Sequence, residues 1–258
     1  MSDKLLDQSS ATLRAITILE LVVVSDRPVS LAEAVSITGL PKPTVYRILV
    51  LLDRAGMLLR EPNTKSYSPG PRLSRLALGT LLNASLRAPR HAILQALAND
   101  TGETCNLTML DGNEIVYLDR VETASPLRLD LRPGSRVPLH CTASGKLFLS
   151  QLPRKRREKL IRSTPLKRYT ANTITDPAQL ELELDRIRKK QLSTDNEEYL
   201  AGTTCVAIPV HGQNGRLYVS VAVQAPTARM TLEQSLLHLP ALRQAAENLS
   251  ATYGLDQT

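Results

Sequence analysis

Between Ser10 and Val24 the apolar residues Ala15, Ile16, Leu19, Val22 and Val23 recur at the spacing of one helix face, which predicts a first helix. "RPVS" interrupts it. Ser30 then caps a second helix, with Glu33 three residues on as the reciprocal partner of a capping box, and Leu31, Ala34, Val35 and Thr38 share a face. Gly39 ends that helix, and Pro41 and Pro43 stand where a third begins and missing N–H groups cost little. The third helix runs to Arg54 on a stripe of Val45, Ile48, Leu49 and Leu52. After Gly56, "MLLREPNTKSYSPG" holds two short strand-like pieces around the turn "PNTK". From Pro71 the chain again reads as helix, broken near Pro89.

Beyond Gly102 strands and helices mix. "TCNLTML" and "NEIVYLDRV" form a hairpin candidate, with Asp111-Gly112 supplying the positive backbone angles of the turn. "LRLDLR" alternates Leu127, Leu129 and Leu131 with charge, as a half-buried strand does. "PLHCTASGK" follows, where a strand gives way to a helix. "RKRREK", from Arg154 to Lys159, reads as one exposed helix face in preference to a second nucleic-acid surface. Asp176-Pro177 starts a helix through Gln191, with acids early and bases late. "CVAIPV" and "LYVSVAV" are strands, and a last helix runs from Thr231 to about Tyr253, kinked at Pro240. The fold class is therefore α+β: helices and a small hairpin first, then an antiparallel sheet with helices on its faces. The expected division is residues 1–70, a linker helix over 71–88 that is a candidate for dimerisation, and a second domain over 89–258.

The length of 258 residues suits two domains, each with its own core. No apolar run approaches the roughly 20 residues that cross a bilayer, and "ILELVVV" follows no basic leader, so neither a membrane anchor nor a signal peptide is expected. The three cysteines are far apart and form no C-x-x-C pair, which fits a reducing, cytoplasmic setting.

Charge changes the picture more. The net charge is +7, and from Lys42 to Arg75 seven basic side chains face only Asp53 and Glu61, a local net of +5. Two short helices joined by a glycine turn, the second basic at its start, follow the plan of a DNA-reading helix-turn-helix. Lys42, Pro43, Thr44, Tyr46 and Arg47 then form the reading end, with Arg47 placed for a guanine edge or a phosphate. Arg60 and Lys65 flank the tip of a wing that meets the phosphate backbone. The alternative is a protein-interaction module with solvated charges.

Catalytic patterns are missing. His91, His140, His211 and His238 lack metal-ligand spacing, and Ser144, His140 and Asp195 lack a G-x-S-x-G elbow. "SGK" is no phosphate loop, since His140 stands where its first glycine belongs. Cys141 or Cys205 as a nucleophile would need a neighbouring histidine. No catalytic residue, metal ligand or cofactor is expected. A binding role asks less: Thr142, Ala143, Ser144 and Gly145 open a helix whose free N–H groups attract a carboxylate or phosphate, against the plainer reading of a capped helix under a loop.

The sequence resembles the IclR family of bacterial transcription regulators over nearly its whole length. "LAEAVSITGLPKPTVYRILVLLDRAGML" with "YSPGPRL" is similar to the family's winged helix-turn-helix, and "PGSRVPLHCTASGKLFLS" and "DNEEYLAGTTCVAIPV" are similar to its two effector-domain signatures. Pro43 departs from the Ser or Thr often found there and removes one possible phosphate donor.

The resemblance implies a GAF-like effector domain with a pocket lined by Leu129, Val137, Ala143, Ser144, Asp195, Cys205 and Ser220. The amides around Gly145 and the Ser144 hydroxyl would take a carboxylate, and Leu129 and Val137 a carbon skeleton. Asp195, with Glu197 and Glu198, either accepts from a ligand hydroxyl or caps the loop. Also implied are palindromic double-stranded operator DNA, a homodimer or homotetramer, and a small organic acid, aromatic acids included, as effector of a catabolic operon. The contrasting expectation is a small-molecule-processing enzyme with an appended DNA-binding domain.

Overall fold

The computed structural model describes residues 10–25, 27–81, 84–123, 131–212, 215 and 217–253. The chain divides into two compact units, residues 1–80 and 81–258.

The first unit contains α1 (Ala11–Val24), α2 (Leu31–Thr38), α3 (Lys42–Arg54), β1 (Leu58–Arg60) and β2 (Tyr67–Pro69), followed by α4 (Pro71–Leu81). Its core gathers Ile18 and Val22 of α1, Ala34 of α2, Val45, Leu49 and Leu52 of α3, and Leu58 and Tyr67 of the hairpin. The inward face of α1 is thus one position round from the expected stripe: Ile16 and Val23 are exposed, because Ile18 and Val22 meet the α3 core. Both arms of the Ser30/Glu33 capping box are made, at 3.2 and 2.9 Å. Gly39 ends α2 at φ 67° and donates its N–H to the Val35 carbonyl, and Pro43 lies in the first turn of α3. Those two caps fix where α3 begins. β1 and β2 pair antiparallel, and a bridge from Val29 to Tyr67 ties the hairpin to the start of α2.

The second unit begins with α5 (Ala84–Thr101), β3 (Thr104–Asp111), β4 (Glu114–Val121) and β5 (Arg136–Pro138). There follow α6 (Ala143–Gln151), α7 (Arg154–Ser163), α8 (Pro177–Lys190), β6 (Ser193–Asn196), β7 (Thr203–His211), β8 (Leu217–Pro226), α9 (Leu232–Leu236) and α10 (Leu239–Thr252). The six strands form one antiparallel sheet in the order β5-β4-β3-β8-β7-β6. Strand alternation divides its residues between two layers. Ile115, Tyr117, Cys205, Ala207 and Ala222 pack with Leu147 of α6 and Leu180 and Leu184 of α8. The intervening residues, such as Val206, Val221 and Val223, are buried on the other face, where α5 and α10 pack.

Pro89 does not break its helix; it lies in the second turn of α5, where it forfeits one backbone bond and the helix continues. The hairpin loop is Gly112-Asn113, one residue later than expected: Asp111 pairs with Glu114, and only Gly112 has positive φ, at 66°. Most of "LRLDLR" lies outside the described residues; Leu131 and Arg132 are in no strand, and the edge strand is β5 instead. β6, "STDN", carries no apolar signal and owes its strand form to pairing with β7. Arg157 of the "RKRREK" run points inward and makes a bidentate ion pair with Glu181, so that run is not wholly a solvated face. The last helix is divided rather than kinked, with Pro240 in the first turn of α10.

Candidate DNA interface and ligand pocket

At the start of α3, Lys42, Pro43, Tyr46 and Arg47 are exposed and Thr44 is half-buried, while Val45 and Leu49 on the opposite side are fully buried. The buried side holds the helix; the exposed end carries two cations and a hydroxyl at the positive end of the helix dipole. In the wing, Arg60 and Lys65 are exposed and Lys65 adopts φ 55°. The Arg60 N–H donates to Asp53 Oδ1 at 3.1 Å, which ties the wing to the end of α3.

In the second unit the two signature stretches come together on one sheet face. Ser220 Oγ donates to Ser144 Oγ at 2.7 Å and lies 2.8 Å from Thr108 Oγ1, a chain of three buried hydroxyls joining α6, β8 and β3. Val137 is buried opposite Ile115, and Ala143 is buried at the start of α6. The helix-start amides are less free than the sequence suggests. Thr142 Oγ1 accepts the Gly145 N–H at 3.2 Å while donating to the Pro138 carbonyl at 2.7 Å. Gly145 is required for close approach, since a Cβ there would lie 2.3 Å from the Leu139 carbonyl oxygen. Leu129 lies outside the described residues.

Lys146, 1% exposed, reaches across to a Glu198 carboxylate oxygen and lies 3.9 Å from Glu183. The second Glu198 oxygen is buried with no hydrogen-bond partner. Asp195 accepts the Glu198 N–H at 2.7 Å and pairs in register with Cys205. Burial, and then the nearby Glu198 charge, push the Asp195 carboxyl up to about 7. The native state therefore holds a proton that the unfolded chain releases near its ordinary value of 3.8. This contribution to stability is complete below that value and is lost as pH rises through about 7. Asp195→Asn, whose carbonyl still accepts the Glu198 N–H, is expected to melt several degrees above the wild type at pH 8 and to show no such gain at pH 4. An equal gain at both values, read by circular dichroism, would rule out this titration.

Burial also pushes the Cys141 and Cys205 thiols well above their usual range, and it lowers His140, whose Nε2 lies 2.9 Å from the Lys167 carbonyl. Among the described residues, no group of three His, Cys, Asp or Glu side chains could hold a metal ion, and no helix is long and apolar enough to cross a membrane. Among the described residues of this unit, three hollows open, and none is lined by Val137, Ala143, Ser144, Gly145, Asp195, Cys205 or Ser220. One of about 370 Å³ lies beside Thr104, Arg120 and Gln224; one of about 150 Å³ beside His140, Leu160 and Tyr169; and one of about 420 Å³ between α5 and α10. Arg120, Thr108 and Glu183 are side chains of this region that residue spacing does not single out, and spacing gives no sign that Lys146 meets Glu198.

The description "IclR helix-turn-helix domain" matches residues 11–62, and "Bacterial transcriptional regulator IclR C-terminal" matches residues 79–251. The chain belongs to the IclR family. It is 46% identical over 245 residues to SauR, a probable transcriptional regulator of Cupriavidus necator, covering 95% of this chain and 97% of that one. The crystal structure of Thermotoga maritima IclR superposes with a TM-score of 0.63 at 32% identity, covering 94% of this chain and 98% of that one. An IclR homologue of Microbacterium hydrocarbonoxydans, complexed with 4-hydroxybenzoate, shares the fold at a TM-score of 0.61 and 24% identity, covering 95% and 99% of the two chains. This IclR-family protein is thus a transcriptional regulator with an N-terminal helix-turn-helix that binds DNA.

Proposed function

We propose that this IclR-family regulator binds a palindromic double-stranded operator as a homodimer or homotetramer. A small organic acid, aromatic acids included, bound in the C-terminal domain would control that binding, and the target would be a catabolic operon for such an acid. Residues 1–70 form the reading domain, 71–88 the linker helix and 89–258 the GAF-like effector domain in this proposal. The observation that carries it is the start of α3, where Lys42 and Arg47 stand exposed on a helix whose other side is locked by Val45, Leu49 and Leu52. Arg47 and Thr44 would address base edges; Lys42, Pro43 and Tyr46 would shape the contact, and Arg60 and Lys65 would meet phosphates.

The proposed effector wall is Val137, Ala143, Ser144, Gly145, Asp195, Cys205 and Ser220, with Leu129 from the preceding segment. Support comes from the buried Ser144–Ser220 pair and from the homologue described with 4-hydroxybenzoate, an aromatic carboxylate. Ligand binding would shift the population of DNA-competent arrangements. The thiols that an enzymatic reading would use are held protonated by burial, which works against nucleophilic catalysis.

The test is binding of labelled DNA from upstream of the protein's own gene, by fluorescence anisotropy, at several salt concentrations and with added carboxylic acids. Specific affinity should fall steeply with salt and change several-fold with at least one acid, recovered chemically unchanged. Salt-independent binding would defeat the DNA assignment, and turnover of the acid would favour an enzyme.

A further inference from the structure

Residues 154–168 hold eight lysines and arginines and one glutamate, a net charge of +7 that equals the net charge of the whole chain. The rest of the chain, the helix-turn-helix segment included, is neutral in sum. These cations belong to α7 and the stretch that follows it, in the C-terminal unit. Two are matched by acids: Arg157 turns inward to Glu181, and Arg154 donates to Glu158 at 2.8 Å. Arg168 is held by neutral oxygens, the Ala171 carbonyl at 3.2 Å and the Thr175 hydroxyl at 3.0 Å. Lys155, Arg156, Lys159 and Arg162 are exposed, and none of the four makes an ion pair with a described residue.

This placement works against the helix that carries it. The first turn of α7 is Arg154, Lys155, Arg156 and Arg157, with no acid and no side-chain cap, at the end where the helix dipole disfavours cations. Lys155 and Lys159 add a like-charge pair at i, i+4. Charge kept at a cost to local stability points to a partner of opposite charge. Lys155, Lys159 and Arg162 fall on one helix face over about 10 Å, with Arg156 beside them. The apolar residues of α7, Leu160 and Ile161, pack on the core, so the exposed face is cationic with no apolar or aromatic side chain. Protein interfaces draw their energy from aromatic and apolar anchors and are depleted of lysine, and membrane-surface helices need an apolar face. A phosphate backbone needs only the charge.

We propose that the exposed face of α7 is a second nucleic-acid surface, which holds the phosphate backbone of double-stranded DNA without reading its sequence. Lys155, Lys159 and Arg162 carry it, with Arg156 at its flank. The C-terminal unit then adds a sequence-independent hold of its own to that of the helix-turn-helix. This inference rests on the DNA-binding reading above only for the identity of the partner, and not on the acid effector.

The full-length protein is titrated against a labelled scrambled duplex by fluorescence anisotropy, between about 50 and 200 mM salt. Lys155→Gln/Lys159→Gln should weaken binding by about 10- to 100-fold at the lowest salt and reduce the salt slope by about two, since each phosphate contact contributes about 0.9. The control Lys190→Gln/Arg243→Gln removes the same charge from exposed sites on α8 and α10, and should change affinity by less than about 2-fold. The α7 variant should melt no lower than the wild type, because it relieves the like-charge pair, so a loss of binding is not a loss of fold. Unchanged affinity and slope in the α7 variant, or an equal loss in the control, overturns the proposal. A variant that loses poly-L-glutamate but keeps the duplex overturns it in favour of an acidic protein partner. These outcomes leave the recognition helix standing, which is read separately by operator against scrambled duplex in Arg47→Ala. Wild-type protein that binds neither duplex overturns both.

Discussion

Lys146→Met is expected to destabilise the C-terminal unit by about 3–5 kcal/mol, the usual loss when one member of a buried ion pair is removed. Methionine keeps the unbranched apolar stem and deletes only the ammonium, so the loss reports the charge rather than a cavity. What remains is the Glu198 carboxylate, 7% exposed, one of whose oxygens already lacks a partner. In a unit of this size each kcal/mol moves the melting temperature by about 2–4 °C, so differential scanning calorimetry should show a fall of roughly 6–20 °C. Adding Glu198→Gln to Lys146→Met should restore much of it, because a neutral amide is far less costly to bury than an unpaired carboxylate. A loss below about 1 kcal/mol, or a double variant no better than the single, would show that the pair does not hold the two signature stretches together.

Arg47→Ala is expected to reduce specific operator affinity by about 10- to 100-fold per recognition helix, the range for losing a side chain that reads a base edge. Non-specific affinity should change little. The fold should be intact, since Arg47 is exposed and α3 is held by Val45 and Leu49 on its other side. Lys65→Ala at the wing should instead weaken all DNA sequences alike and reduce the salt slope by about one. Competition titrations with operator and scrambled duplexes separate the two behaviours. Specific binding that survived Lys42→Ala, Thr44→Ala and Arg47→Ala together would place the reading element elsewhere.

The first unit was legible because its signals are local. A capping box, a glycine with a positive φ and a proline in the first turn each act within a few residues, and all are found where the spacing put them. The second unit hides what depends on distant partners. "STDN" becomes a strand only because β7 lies beside it. Arg157 turns inward only because Glu181, 24 positions on, is there to meet it. Within the proposed effector wall, the meeting of Ser144 with Ser220 spans 76 positions, yet both are named from the resemblance to the family, which carries that information. Arg120 was missed for the converse reason: in "YLDRVE" a lone arginine reads as strand-end charge, and only the pairing of β4 with β3 brings it over Asn106.

Under the proposed effector site, the hydroxyl chain of Thr108, Ser220 and Ser144 would bear on ligand discrimination. A hydroxyl both gives and takes, so three in series form a reversible wire whose polarity can flip as a unit. With Ser220 donating to Ser144, the Ser144 hydrogen is directed onward; with the wire reversed, Ser144 offers a lone pair instead. Such a wall would greet an oxygen atom of either character and would therefore be permissive. Chemical strictness in this domain has to come from groups that cannot reverse, which are its buried charges.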